Sequence, residues 1–155
     1  MFVYGSNSLT NAAQCTDNLQ LVLLEHSNYF NSSIVCGHRD KLTQAKAFVN
    51  GVSKVNWPNS KHNSKPARAF DIYPWHDKYK SLTEDEEVIS RIVATAGCSH
   101  RGALDFIRTQ YYMQAQSVMI AASIAKVELR WGGDWDGDLD FLDQTFNDLA
   151  HFEEV

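Results

Sequence analysis

Two short polar clusters, set far apart in the chain, constrain the fold more than any other feature: Ser60–Lys61–His62 followed by Asp71, and Asp148–Leu149–Ala150–His151 followed by Glu153. If they serve one site, the fold must bring the end of the chain against its middle. The residue types favour one site. Two imidazoles and a carboxylate are a usual zinc set, and three protein ligands on a tetrahedral ion leave one position for water. His62, Asp71 and His151 are therefore the candidate Zn2+ ligands. Asp148, three residues before His151, is placed to take a proton from that water. Either cluster alone arises often by chance, so the surroundings decide. Asp71 lies in Ala69–Phe70–Asp71–Ile72–Tyr73, an apolar and aromatic run that reads as a buried strand ending at Pro74. Burying a bare carboxylate there is costly, so Asp71 must be paired or ligate a metal. His151 opens a similar strand-like run to Val155.

The rest of the chain alternates helices with short strands. Leu19, Val22 and Leu23 share one helical face between Thr16 and Ser27, with Thr16 or Asp17 as cap. A strand at Ser33–Cys36 presents Arg39 just past a rigid element. Asp40 caps a helix through Phe48, and Gly51 stops it. Val52 to Arg68 forms a long polar loop, a length usually reserved for function or disorder. Thr83–Glu84–Asp85–Glu86 is a capping box for a helix carrying Val88, Ile89, Ile92 and Val93, ended by Gly97. The stretch from Leu104 to Lys126 predicts the longest helix, and Val127–Trp131 alternates as a strand into Gly132 and Gly133.

Composition then narrows the class. A chain of 155 residues with 44% hydrophobic content suits one domain over 1–155 with a real core and leaves no room for a second. Four Trp, six Tyr and eight Phe suit a small α+β domain with a groove, although most such rings are simply core. A net charge of −5 without a basic stripe argues against nucleic acid as a partner. The start of the chain lacks the basic and apolar regions of a secretory signal, and no run approaches the ~18 apolar residues of a membrane span. The expectation is a protein made in the cytosol. Cys15, Cys36 and Cys98 lack paired metal spacing and read as free thiols, with a zinc role for Cys36 a minor alternative.

Taken in order, these pieces resemble the zinc D,D-peptidases and the phage L-alanyl-D-glutamate endopeptidases. The resemblance is carried by Cys36–Gly37–His38–Arg39 with Gln44, by Ser60–Lys61–His62 through Ala69–Phe70–Asp71–Ile72–Tyr73–Pro74, by Trp131–Gly132–Gly133–Asp134–Trp135, and by Asp148 through Glu153. It spans most of the chain. The eight residues between His62 and Asp71 exceed the family's usual spacing, and the extra length falls in a turn with Ser64 and Pro66. The resemblance implies a hedgehog/D,D-peptidase-like fold, helices packed on an antiparallel sheet that carries the zinc. It also implies that Arg39 offsets the negative charge built on the scissile carbonyl; a structural ion pair with Asp40 or Asp71 is the alternative for that residue. Ser60 and Gln44 match motif positions that bond the substrate or support the ligands. Trp131 and Trp135 either line the groove or pack.

The implied substrate is the peptidoglycan stem peptide. The favoured reading is a monomeric phage endolysin without a separate wall-binding domain, made in the host cytoplasm and acting on the wall after release at lysis. A D-Ala-D-Ala dipeptidase or carboxypeptidase is the first alternative, and a non-catalytic zinc-containing binding module is the second. Finally, Asp134, Asp136, Asp138 and Asp140 alternate along one segment. Hard cations favour several oxygen ligands, so Ca2+ competes there with a solvated acidic turn. Leu139 and Thr145 stand where an EF-hand loop counted from Asp134 needs glycine and glutamate.

Overall fold

Alternation along one central strand decides which side chains enter the core and which face the site. The computed structural model describes residues 1–141 and 143–155. Its helices are α1 (Ser6–Ala12), α2 (Asp17–His26), α3 (Lys41–Val49), α4 (Glu86–Ala96) and α5 (His100–Ala125). Its strands are β1 (Ser32–Cys36), β2 (Ala69–His76), β3 (Lys80–Ser81), β4 (Leu129–Trp131) and β5 (His151–Glu154). They form one five-stranded antiparallel sheet in the order β1-β2-β5-β4, with β3 paired to the far end of β2. This is the expected small α+β domain.

Side chains on a strand point alternately to opposite faces. Phe70 and Ile72 of β2, Phe152 of β5 and Trp131 of β4 enter the core beneath α2 and α5, against Leu19, Val22, Leu23, Val118 and Ala122. By the same alternation Asp71 and His151 point to the other face, where they are direct cross-strand partners. A second core joins α4 to the first half of α5 through Ile89, Ile92, Ile107 and Leu82.

Local signals set most element ends. The Thr16 hydroxyl accepts from the Leu19 amide, and the Asp40 carboxylate from the Thr43 amide, so both predicted caps hold. Gly97 ends α4 in the left-handed region, at φ +68°. Three expectations need correction, and one helix was not expected. The cap of α4 is Asp85, and Thr83 donates its hydroxyl to the Asp85 carboxylate in place of a capping box. Helix α5 starts at His100, because Ser99 caps it and its first turn is polar, invisible to apolar periodicity. Strand β2 runs through Pro74 to His76. The Ile72 amide donates toward β5 and the Trp75 amide toward β1, so the donor Pro74 lacks would face a side that β5 has already left. Helix α1 has no apolar stripe to announce it. It covers the outer edge of β1, where Ser8 Oγ accepts from the Ile34 amide at 3.1 Å and Asn11 donates to the Ile34 carbonyl at 3.0 Å.

A buried polar chain ties α2 to α5 and the sheet. His26, with no exposure, contacts Ser117 Oγ at 2.9 Å and Ser32 Oγ at 3.0 Å; Ser32 donates to Gln114, which donates to the Ile72 carbonyl. Burial pulls the His26 imidazole from 6.5 down to about 4. Above pH 6.5 it is neutral folded or unfolded and adds no pH dependence. Between 6.5 and 4 only the unfolded chain takes the proton, so stability falls with pH and levels off below 4. Urea unfolding is expected to show a loss of roughly 2–3 kcal/mol between pH 7 and pH 4.5, reduced in His26→Gln. Equal pH slopes for the two proteins would remove His26 as the cause.

Candidate metal centre

Each candidate ligand is delivered by a different device. Asp71 and His151 are paired across β2 and β5. His62 sits on a 3-10 turn, Lys61–Asn63, closed by a reciprocal cap in which Ser60 Oγ accepts from the His62 amide and Asn63 Oδ1 from the Ser60 amide. The Arg39 amide donates to the His62 carbonyl at 2.8 Å, which fixes the turn to the end of β1. The long loop thus contains a rigid element that periodicity could not reveal.

Three acceptor atoms converge. His62 Nε2 lies 3.1 Å from Asp71 Oδ1, His151 Nδ1 lies 3.0 Å from the same oxygen, and the two nitrogens are 3.2 Å apart. The outer nitrogens of both rings face acceptors. His62 Nδ1 is 2.6 Å from the Gly37 carbonyl oxygen, and His151 Nε2 is 3.3 Å from Glu153 Oε2. A carbonyl or carboxylate can only accept, so each outer nitrogen carries the hydrogen and each inner one, when neutral, presents a lone pair. Three lone pairs facing one another repel unless protons or a cation lie among them. Donors bound to tetrahedral zinc at about 2.0–2.1 Å stand roughly 3.3 Å apart, so the triangle is close to the right size. Outer partners of this kind set the tautomer and orientation of ligating histidines.

Without a cation, protons serve. Burial favours the neutral imidazole at His62, but the charge and hydrogen bond of Asp71 prevail and lift it to about 10. At His151 burial is likewise outweighed by hydrogen bonds to Asp71 and Glu153, which raise it to about 9. Burial would raise Asp71, yet the charge of His62 and hydrogen bonds from His151 and His62 hold it far below the usual carboxylate range. Cys36, His62 and Asp71 also gather ligand atoms within 4.8 Å. The Cys36 sulfur approaches His62 at Nδ1, 3.7 Å away, the nitrogen engaged by Gly37, and not at the inner Nε2 that meets Asp71 and His151.

Arg39 contacts Asp71 Oδ2 at 2.9 Å and Gln44 Oε1 at 3.2 Å, with 11% of its side chain exposed. The ion pair weighed for it from the sequence is present, and the residue also lines the cleft over the triangle. Gln44 is fully buried and bonds Arg39, Ser53 and the Val55 carbonyl, which makes it a support of Arg39 rather than a substrate contact. Ser60 lines the cleft and caps the His62 turn.

The cleft encloses about 510 Å³. Asp148 reaches it from the turn before β5, where the Asp148 carbonyl accepts from the His151 amide and the Asp148 amide donates to the Gly132 carbonyl. A methyl group on Gly132 would collide with the Asp148 carbonyl oxygen, so the Gly132 backbone braces this turn only as glycine. Among the described residues the Asp148 carboxylate has no hydrogen-bond partner. Burial, then the charge of Asp71, raise its pKa against the pull of His151, His62 and Arg39.

The two candidate tryptophans divide. Trp131 is core, donating to the Leu149 carbonyl, whereas Trp135 lines the cleft and stacks on His151 at 5.6 Å. Glu153 is the residue that sequence reasoning left without a role; its place two residues after a candidate ligand on a strand was the available signal. The acidic run brings ligand atoms of Asp134, Asp136 and Asp138 within 4.8 Å. Asp134 already accepts from the Gly137 and Leu139 amides, and Asp138 from the Asp140 amide, as in a self-capped acidic turn. Among the described residues no helix is long and apolar enough to cross a membrane.

No protein-family model matches this sequence, and no curated protein does. The fold does have a known counterpart. The crystal structure of the L-Ala D-Glu endopeptidase ChiX of Serratia marcescens is similar with a TM-score of 0.67 and 18% identity, covering 99% of this chain and 90% of that one. Over that length the chain shares the endopeptidase's fold.

Proposed function

We propose that this chain is a zinc-dependent peptidase that hydrolyses the L-Ala–D-Glu bond of peptidoglycan stem peptides, and that it serves as a phage endolysin acting on the wall at host lysis. The observation that carries the proposal is that His62, His151 and Asp148 line one cleft, that Asp71 completes a triangle of acceptor atoms with the two histidines, and that the Asp148 carboxylate makes no hydrogen bond among the described residues. The shared fold with an L-Ala D-Glu endopeptidase supports the choice of bond.

His62, Asp71 and His151 would hold the ion. When bound, zinc supplies Lewis acidity and makes water more acidic. The remaining work falls to the chain. Asp148, whose pKa burial raises above its ordinary value and whose carboxylate makes no hydrogen bond among the described residues, takes the proton from the attacking water and hands it to the departing amine. Arg39 orients Asp71 through Oδ2 and presents its guanidinium to the cleft, where negative charge grows on the carbonyl oxygen. Glu153 and the Gly37 carbonyl hold the two imidazoles in the tautomers that leave the inner nitrogens unprotonated.

Digestion of purified peptidoglycan by the zinc-loaded protein, read by mass spectrometry of the ends, tests the proposal. New N-terminal D-Glu with free L-Ala ends is the expected product. Release of D-Ala from short peptides moves the chain to the D,D-peptidase branch, and zinc uptake without cleavage of either substrate to the binding-module reading. Permeabilised Gram-negative cells should lose turbidity with the protein present.

A further inference from the structure

Three cations line the cleft, Arg39, Lys54 and Lys61, against two carboxylates, Asp148 and Glu153, although the whole chain carries −5. Arg39 is engaged by Asp71 and Gln44. Lys61 lies toward Glu153 and helps hold that carboxyl ionised. Lys54 has no such partner. Among the described residues it pairs with no carboxylate, and its ammonium lies 4.9 Å from the centroid of the Phe146 ring. Phe146 stacks on Trp135 at 6.3 Å, and Trp135 on the candidate ligand His151 at 5.6 Å. Trp135 is locked by its indole N–H, which donates to the Phe146 carbonyl at 2.7 Å. A fixed row of rings therefore runs from the metal triangle outward and ends under a lysine. A cation resting on an aromatic face is partly stripped of water and keeps its attraction for an anion.

We propose that Lys54 is a specificity-determining residue that binds a free carboxylate of the peptide, so that the cleft prefers an acidic stem over an amidated one. The inference rests on the peptidase reading above. A glutamyl residue has two carboxyl groups, and a peptide continues through only one. The other stays anionic unless it is amidated, and a cation in the cleft distinguishes the two forms. The same contact is made before and during reaction, so it acts on KM.

The test compares kcat/KM of the full-length, zinc-loaded protein on two synthetic stem peptides, one with D-Glu bearing a free carboxylate and one with the corresponding carboxamide. Wild type is expected to favour the acid about five-fold, as for an exposed ion pair, with the preference shrinking in salt. Lys54→Met should bring the acid-to-amide ratio close to one, Lys54→Arg should keep it, and Lys54→Glu should invert it. Thermal unfolding checks that each variant is folded. A Lys54→Met ratio equal to wild type, or a wild type indifferent to amidation, overturns the assignment. Cleavage of neither peptide by wild type overturns the peptidase reading itself and the subsite with it.

Discussion

Asparagine at Asp148 should lower kcat by roughly 10²–10⁴-fold, the range for loss of a general base, while zinc content stays stoichiometric. The substitution keeps the shape of the side chain and removes only its ability to take a proton. Nothing in the fold depends on the carboxylate, because it makes no hydrogen bond among the described residues. Burial and the charge of Asp71 both disfavour its ionised form. At neutral pH the native carboxylate therefore destabilises the metal-free folded state, and metal-free Asp148→Asn should melt slightly higher than metal-free wild type. A loss of activity joined to a gain in stability marks a group kept for chemistry, since a structural residue would lose both. Activity assays, metal analysis and thermal unfolding of one variant decide the matter. Retained hydrolysis would remove Asp148 as the base, and lost zinc would make it part of the metal site instead.

The α+β class and the convergence of the candidate residues were both legible in the sequence, and the polar details of the fold were not. His62, Asp71, His151 and Asp148 could be chosen by residue type and context, because a carboxylate in the run Ala69–Tyr73 demands a partner and two imidazoles answer it. Strand alternation then did the placing, sending Phe70 and Ile72 inward and Asp71 outward to His151. What escaped the sequence were features without an apolar period. Helix α1 is held by the hydroxyl of Ser8 and the amide of Asn11, and the 3-10 turn at His62 by Ser60 and Asn63. Polar bonds of that kind depend on which distant backbone group is left unpaired, which no local pattern records. The role of Arg39 was legible only as two alternatives, since a guanidinium that neutralises Asp71 and one that faces the cleft carry the same sequence signal.

Alanine at Asp71 should cost more stability than alanine at either histidine. Its Oδ1 serves both imidazoles, at 3.1 and 3.0 Å, and its Oδ2 serves Arg39 at 2.9 Å. Removing it leaves a guanidinium and two rings facing one another with no anion among them, and only 11% of the Arg39 side chain reaches solvent. Breaking a buried pair of this kind costs about 3 kcal/mol or more, which lowers Tm by roughly 6–12 °C in a chain of this size. Zinc uptake should be lost as well, because two imidazoles alone make a weak site. The same change removes the largest upward influence on His62. With Asp71 gone, burial pulls the imidazole down from about 10 against the smaller upward effect of Cys36. In His151→Ala the metal is also lost, but Asp71 still neutralises His62 and Arg39, so the metal-free protein should melt much closer to wild type. The comparison separates ligation from charge balance: equal zinc loss with unequal melting supports both roles for Asp71. An Asp71→Ala protein that binds zinc stoichiometrically would contradict the ligand set, whereas one that melts like the metal-free wild type would show that Arg39 draws no stability from the pair.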